Sequence, residues 1–296
     1  MQDLELFKHD GFSQLLFEGA RDALLIEDEK GRILEVNTRM EELFGYSREE
    51  LIEMESSELE APESKKKQAH KETAYPESTE GSLFETIGLT KDGKKIPLEI
   101  AISSLVQDNG TYYLLIIRDI TDRKRAEEEL FRMANIDPLT ELPNRRYMQK
   151  RMEDEKARSE RSGKPFALIM SDIDDFKMFN DNHGHECGDY ILVQISKLIS
   201  SMLRKQDIVS RWGGEEFLFL LPETGRKGAV KTADKIRDSI DSADFEYNGN
   251  NLHLTMTFGI AECRGYDEIK ERIKAADTAL LLGKNKGKNN VITLSK

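Results

Sequence analysis

From residue 137 to residue 296 the apolar pattern alternates between short strand-like runs and stripes spaced three to four residues apart. This alternation constrains the fold more than any other feature of the chain. Residues 166–171, 207–212, 215–221 and 253–261 read as strands. Ile191, Ile195, Leu198 and Met202 form a helical stripe, as do Ala229, Ala233, Ile236 and Ile240, and residues 269–282 continue the pattern. Gly213-Gly214 separates the two central strands as a glycine hairpin. Strands alternating with helices around one hairpin predict a βαββαβ-type sheet with helices on one face.

Residues 7–122 read differently, as a mixed α+β section. Strand-like runs at 23–26 and 33–36 precede a helix at 39–44, which Asn37 or Thr38 can cap. Residues 53–80 are polar and poorly periodic, which predicts short helices and loops. Three strands follow at 82–90, 95–105 and 111–120, split by the turn dipeptides Asp92-Gly93 and Asn109-Gly110. Next, DRKRAEEELFRMANID places Ala126, Leu130 and Met133 at i, i+4 and i+7, one stripe of a helix. The remaining positions are densely charged. Two readings stand: a solvated linker helix with one face on a domain, or a short parallel coiled coil between two copies. A length of 296 residues suits about two domains. The predicted organisation is α+β: a first domain over 1–122, a linker helix over 123–135 and a second domain over 136–296.

The net charge of −12 argues against duplex DNA or an anionic membrane as the main partner, because both require a basic face. A nucleotide stays open, since a few local lysines and a metal ion can hold it. No run of about 18 apolar residues exists to span a membrane. The opening MQDLELFKHDGF lacks the basic and apolar regions of a secretory signal. Cys187 and Cys263 have no metal-like spacing and read as reduced thiols. The expectation is a cytoplasmic protein with no nucleic-acid partner and no membrane insertion.

Chemistry-bearing residues concentrate in the second section. In LIMSDIDDFK an apolar strand stops at acids, beginning with Asp172, and Glu215-Glu216 follow directly on the glycine turn. Carboxylates at a strand end and a hairpin tip suit Mg²⁺, which takes one or two of them and completes its shell with substrate phosphates. Glycines there let a phosphate approach the backbone. Alone, the same residues equally describe a hairpin with solvated acids. NDNHGHECGD contributes Asn180 and Asp189. A carboxylate can accept from the adjacent N1–H and N2–H₂ donors of guanine, and adenine has no such pair, so a site built this way rejects ATP. Taken singly, the two residues also fit a helix cap and a surface acid. Lys284, Lys286 and Lys288 in GKNKGKNN can neutralise a triphosphate, or simply form a solvated loop.

Read together, DPLTELPNRR, DIDDFK, ND-x-x-GH-x-x-GD, RWGGEEF and TFGIA resemble the GGDEF family of diguanylate cyclases, in order and spacing, over nearly all of residues 137–296. The resemblance implies that Mg²⁺, with Mn²⁺ as the alternative ion, is held by Asp172, Glu215 and the main-chain carbonyl of Ile173. It implies that Glu215 also takes the 3′-hydroxyl proton, that Glu216 lies beside the metals, and that Lys177 stabilises the transferring phosphoryl group. Asn180 and Asp189 would read guanine, with His185 shaping that pocket. Main-chain amides around Asp175 and Phe176 would cradle phosphates, and Lys284 and Lys288 would contact the triphosphate. Two GTP-loaded domains would face each other, so activity requires a homodimer. Arg204 and Asp207 form an RxxD pair ending shortly before Gly213, which matches the family's inhibitory site for the product cyclic di-GMP; the alternative is a surface pair at a helix end. The chain departs from the family pattern at Glu141 (usually Gly), Trp212 (often Tyr), Lys288 (often Arg), Leu281 (usually Tyr) and Gly283 (usually Ala). Replacing Arg by Lys exchanges a bidentate fork for a point charge.

Residues 7–122 resemble a PAS sensor domain, through LLIEDEKGRILEVNTRMEELFGYSREEL, LTKDGKKIPLEIAISSL and YYLLIIRDITDRKRAEEEL. Asp119-Ile120-Thr121 matches the exit motif that hands the last strand to a signalling helix. No cysteine precedes Cys187, which excludes a flavin photosensor, and His70 is the one candidate for a haem ligand in the expected region. A small-molecule pocket or a purely dimerising PAS domain fits the residues better. Two rivals to the enzyme reading are a catalytically inert GTP or cyclic di-GMP receptor and a cyclase that uses ATP. The first would be favoured by loss of Asp172 or of the acid at 215, and neither is lost; Asp189 argues against the second.

Overall fold

The computed structural model describes residues 11–62, 64, 82–107 and 110–294, which fall into two compact units that divide at Glu128 and Glu129. The mixed α+β architecture anticipated above is present in both. His70, Asn109 and the first ten residues lie outside the described residues. Among the described residues no helix is long and apolar enough to cross a membrane.

The first unit is a five-stranded antiparallel sheet. Its strands are β1 (Ala23–Asp28), β2 (Ile33–Val36), β3 (Ser82–Leu89), β4 (Lys95–Gln107) and β5 (Gly110–Asp119), in the order β2-β1-β5-β4-β3. Helices α1 (Gly11–Glu18), α2 (Thr38–Phe44) and α3 (Arg48–Ile52) accompany it. Asn37 is fully buried and caps α2: its Oδ1 accepts from the amides of Met40 (3.3 Å) and Leu24 (2.9 Å), while its Nδ2 donates to the carbonyls of Phe17 and Asp22. One side chain thus joins α1, β1 and α2, and a buried amide is tolerated because each of its polar atoms is bonded. Leu25, Ile33, Val36, Met40, Phe44, Leu98, Ile102 and Leu115 form the core against one face of the sheet.

Helix α4 (Thr121–Asn135) starts where the sheet ends. Asp119 accepts from the Thr121 amide at 2.7 Å, satisfying a donor that the first helical turn leaves free, and Ile120 is buried. Arg123 pairs with Glu85 (2.9 Å) and Glu99 (3.0 Å) and so holds this end to the sheet. Ala126, Leu130 and Met133 are all exposed, with Leu130 and Met133 at 65% and 75% of full exposure. The far end of α4 belongs to the second unit, where Asn144 donates to the carbonyls of Ala134 (3.0 Å) and Asn135 (2.8 Å).

The second unit carries α5 (Arg145–Ser162), β6 (Phe166–Ile173), α6 (Phe176–His183), α7 (His185–Met202), β7 (Ile208–Gly213), β8 (Glu216–Leu221), α8 (Arg226–Asp241), the hairpin β9 (Phe245–Tyr247) and β10 (Asn250–Leu252), β11 (Met256–Cys263), α9 (Ile269–Asn285) and β12 (Val291–Thr293). Its main sheet runs β12-β11-β6-β8-β7, antiparallel except for the β11–β12 pair. Every residue of β6 is buried. Ala167, Ile169 and Ile173 pack with residues of α7 and α8, including Ile191, Ile195, Ala233 and Ile236. Phe166, Leu168 and Met170 pack with Met148 and Met152 of α5 and Ala276 and Leu280 of α9. The helices therefore cover both faces, where the sequence pattern led us to expect one. Helices α5 and α9 together cover the second face; the sequence pattern predicts α9 but not α5, and the buried stripe of α5 is Met148, Met152, Glu155 and Ser159. Two of its four inward residues are polar, so hydrophobic periodicity does not reveal it. The strand expected over 253–261 begins at Met256, with the short β9–β10 hairpin ahead of it.

Gly259 of β11 shows how closely α9 lies on the sheet. A Cβ built there would stand 2.1 Å from the Ala276 carbonyl oxygen and 2.2 Å from the Leu280 amide nitrogen, both backbone atoms. The helix can accept a side chain only by moving as a body. Gly259→Ala should therefore lower the unfolding free energy of this unit by about 3 kcal/mol, at the upper end of ordinary overpacking. Urea titration measures it, and an unchanged midpoint would mean that α9 does not rest on β11 in this way.

Candidate active site

The polar residues singled out from the sequence converge at the carboxyl end of β6 and the β7–β8 turn. A cleft of about 570 Å³ is lined by Phe176, Lys177, Asn180, Asp181, His185, Asp189, Leu192, Arg211, Gly214 and Glu215. Helices α6 and α7 form one wall and the hairpin tip the other. The two helices meet at Gly184, whose φ of 84° is a left-handed conformation suited to glycine. This sharp junction carries Asn180, His185 and Asp189 to one opening although they lie on two helices. Asn180 Oδ1 is buried and accepts no hydrogen bond among the described residues. It fits only because residue 188 is glycine, since a Cβ at Gly188 would lie 1.9 Å from that oxygen.

The acids are arranged by strand register. Asp172 pairs with Glu216 across β6 and β8, and the Ile173 amide donates to the Glu215 carbonyl at 3.4 Å. Asp172 is buried, and its carboxyl is pushed up to about 6: burial is the main cause, the Lys284 ammonium against it works the other way, and Glu215 and Glu216 add to the rise. Glu216 is also raised, by burial first and then by Asp277 and Glu215. Among the described residues no three acidic, histidine or cysteine side chains converge as a ready-made metal centre. A buried carboxylate already in contact with one cation, with two acids beside it, fits a hard divalent ion that completes its shell elsewhere. Lys288 Nζ contacts both oxygens of Asp175, at 2.6 and 2.7 Å. Both lysines expected at the triphosphate therefore pair with acids at the end of β6.

Arg204 and Asp207 lie apart from the cleft, in the turn between α7 and β7. Asp207 accepts from the Arg204 amide at 3.1 Å and donates its own amide to the Arg204 carbonyl at 3.0 Å. Burial raises the Asp207 carboxyl despite that bond. Arg204 itself is exposed.

Three residues matter here that sequence reasoning left without a role. Asp174 is buried and accepts from Thr255 Oγ1 (2.7 Å), Thr257 Oγ1 (2.7 Å) and the Asn289 amide (3.0 Å), which ties β6 to β11 and to the lysine loop. Arg211 donates to the Gly214 carbonyl (2.8 Å) and to Asp137 (3.2 and 3.3 Å). Burial alone would raise Asp137, but its bonds from Thr140 and Arg211 outweigh this and hold it low. The signal for Asp137 and Arg211 was present in DPLT and RWGG, but nothing local indicated that they would meet. The departures have local consequences. Glu141 holds φ at 57°, a left-handed conformation that explains why the related pattern has glycine there. Trp212 is buried under the Arg145 guanidinium, 4.4 Å from the ring centroid.

Comparison with known proteins agrees with this arrangement. Residues 134–290, just over half of the chain, match the family described as diguanylate cyclase, GGDEF domain, and residues 21–122 match the PAS domain. The chain belongs to the GGDEF family. Over 179 residues it is 37% identical to diguanylate cyclase DgcM of Escherichia coli, covering 60% of this chain and 43% of that protein. Over 213 residues it is 28% identical to diguanylate cyclase DosC of the same species, covering 72% and 45%. It thus spans less than half the length of these two relatives. Among solved structures, Pseudomonas aeruginosa diguanylate cyclase SiaD in complex with its activator SiaC aligns with a TM-score of 0.54 and 37% identity, over 59% of this chain and 69% of that one. The coiled coil and GGDEF domain of Caulobacter crescentus DgcB, in complex with c-di-GMP, aligns with a TM-score of 0.57 and 27% identity, over 59% and 93%.

With the Asp172 carboxyl raised, any divalent cation held there would bind more weakly as pH falls. A carboxyl raised in the folded state stabilises the protein below its unfolded range, and that contribution is lost as pH rises from about 4 through about 6. A divalent cation requires the ionised form and so opposes the loss. Apparent Mg²⁺ affinity should fall about tenfold per unit below pH 6. Melting curves with and without Mg²⁺ should separate at pH about 7.5 and nearly coincide at pH about 5. Asp172→Asn should abolish the response, and a Mg²⁺ shift in that variant would place the cation elsewhere.

Proposed function

We propose that this chain is a Mg²⁺-dependent diguanylate cyclase that condenses two GTP into cyclic di-GMP and two pyrophosphates, under the control of its PAS domain. One observation carries the reading: Lys177, Asn180, His185, Asp189 and Glu215 line a single cleft beside the buried Asp172. Residues 1–122 form the sensor, 123–135 the signalling helix and 136–296 the catalytic domain.

Each catalytic domain binds one GTP. Asp189 accepts from the N1–H and N2–H₂ of guanine, and Asn180 and His185 complete the base pocket. The main-chain amides at Asp175 and Phe176 receive phosphate oxygens, with Lys284 and Lys288 neutralising the triphosphate. The carboxylates of Asp172 and Glu215 and the carbonyl of Ile173 would hold Mg²⁺, or Mn²⁺ in its place, with Glu216 alongside. When bound, the ion supplies Lewis-acid stabilisation of charge on the phosphate oxygens. Glu215 accepts the proton of the 3′-hydroxyl. The freed oxygen bonds to the α-phosphorus of the GTP on the facing domain as the bond to pyrophosphate breaks, and Lys177 offsets the charge that develops. The same exchange in the opposite direction closes the ring.

Neither half of this reaction completes a product alone, so a homodimer is required and proximity becomes the point of control. The exposed Ala126, Leu130 and Met133 supply a seam through which two α4 helices associate. Arg204 and Asp207 bind cyclic di-GMP as feedback inhibitor, the guanidinium and carboxylate meeting phosphate and guanine.

Glu215→Gln should abolish product formation from GTP while the protein stays folded. Retention of more than about a tenth of the wild-type rate would remove Glu215 from the chemistry, since tenfold is only about 1.4 kcal/mol of barrier. Arg204→Ala should raise the inhibitory concentration of added cyclic di-GMP roughly tenfold. An inhibition curve identical to wild type would place the feedback site elsewhere.

A further inference from the structure

The side chain of Asp175 has no part in the chemistry above, which uses only its backbone. It sits between β6 and α6 with φ at 57°, and it makes no capping bond to the helix it precedes. Both of its oxygens are taken by Lys288 Nζ. That contact raises the lysine's pKa. The lysine is delivered by an anchored backbone. Lys288 N donates to Gly283 O at 3.2 Å, Asn290 Nδ2 donates to Lys288 O at 2.8 Å, and the Asn289 amide is held by Asp174.

We propose that Asp175 sets the affinity of this chain for its nucleotide by competing with the triphosphate for Lys288. The inference rests on the cyclase reading and adds to it a residue that tunes substrate binding. A phosphate seated on the amides of Asp175 and Phe176 lies beside the Asp175 carboxylate, and the two anions seek the same ammonium. Lysine offers three donors from one point, whereas arginine spreads five over a planar fork. An arginine here could serve a carboxylate and a phosphate together; Lys288 must largely exchange one for the other. The acid at 175 and the lysine at 288 thus act as one unit, with substrate affinity below what the phosphate cradle and an unpaired Lys288 would provide together.

The test is a double-mutant cycle on the full chain, read as equilibrium binding of an α,β-methylene GTP analogue with Mg²⁺ by calorimetry. Asparagine tolerates left-handed backbone, so Asp175→Asn retains the local conformation, and Asp175→Gly is a second variant to which the same φ is open. Both should tighten binding by roughly two- to fivefold, the range of an exposed ion pair. In the Lys288→Ala background the gain should shrink to less than half of that on a logarithmic scale. Unchanged or weaker binding in Asp175→Asn and Asp175→Gly would overturn the proposal, with Asp175 then serving to position Lys288. Equal gains in both backgrounds would also overturn it, leaving only charge repulsion between Asp175 and the nucleotide. Product formation from GTP by the wild-type chain is measured separately. Its failure would sink the cyclase reading, whereas the binding cycle decides the role of Asp175.

Discussion

The buried Asp174 carboxylate holds the acidic end of β6 in place. Thr255, just before β11, and the Asn289 amide donate to one of its oxygens, and Thr257 of β11 donates to the other. Its neighbours in sequence, Asp172 and Asp175, can then turn to separate tasks, one toward the hairpin acids and one toward the lysine loop. A carboxylate this buried is tolerated because each oxygen accepts a hydrogen bond. These bonds add to the backbone ladder that already joins the strand end, the β11 entry and residues 288–290. The Asp175–Lys288 pair lies directly beside that anchor.

A second network joins the end of α4 to the hairpin. Arg211 joins Asp137, in the turn after α4, to the carbonyl of Gly214 at the hairpin tip. Asn144 joins the end of α4 to the start of α5. A displacement at the end of α4 therefore acts on bonded groups that lead to the residue before Glu215. The first turn of α4 is bonded just as firmly to the PAS sheet through Asp119 and Arg123. The helix is thus gripped at both ends, while its apolar stripe stays exposed between them.

The electrostatics follow from the overall composition. A chain of net charge −12 has little general attraction for a triphosphate. On the proposed reading, binding would come from a few placed cations and backbone amides, and in this structure Lys284 and Lys288 are paired with Asp172 and Asp175. The pairing keeps the buried acids compensated and makes the lysines contested. Under the proposed function, an acidic protein would in this way hold an anionic substrate without a basic surface.

Much of this was legible in the sequence. The glycine hairpin, the strand ending at Asp172, the stripes of α7 and α8 and the cluster of Asn180, His185 and Asp189 are all written in local pattern, because period and turn chemistry act over a few residues. What was missed has a common cause. Helix α5 turns Glu155 and Ser159 inward, so its buried face carries little hydrophobic signal and its place beside α9 on the second face of the sheet is not legible in the sequence. Asp174, Arg211 and Asp137 are polar residues each with a partner 74 to 115 positions away. Residue type and spacing by themselves determined the two-domain class and the set of residues at the candidate site. Only the tertiary structure decided which acid is buried, which lysine meets which aspartate, and which carboxylate holds the site together. Those outcomes depend on desolvation and distance between segments far apart in the chain, and no local pattern encodes them.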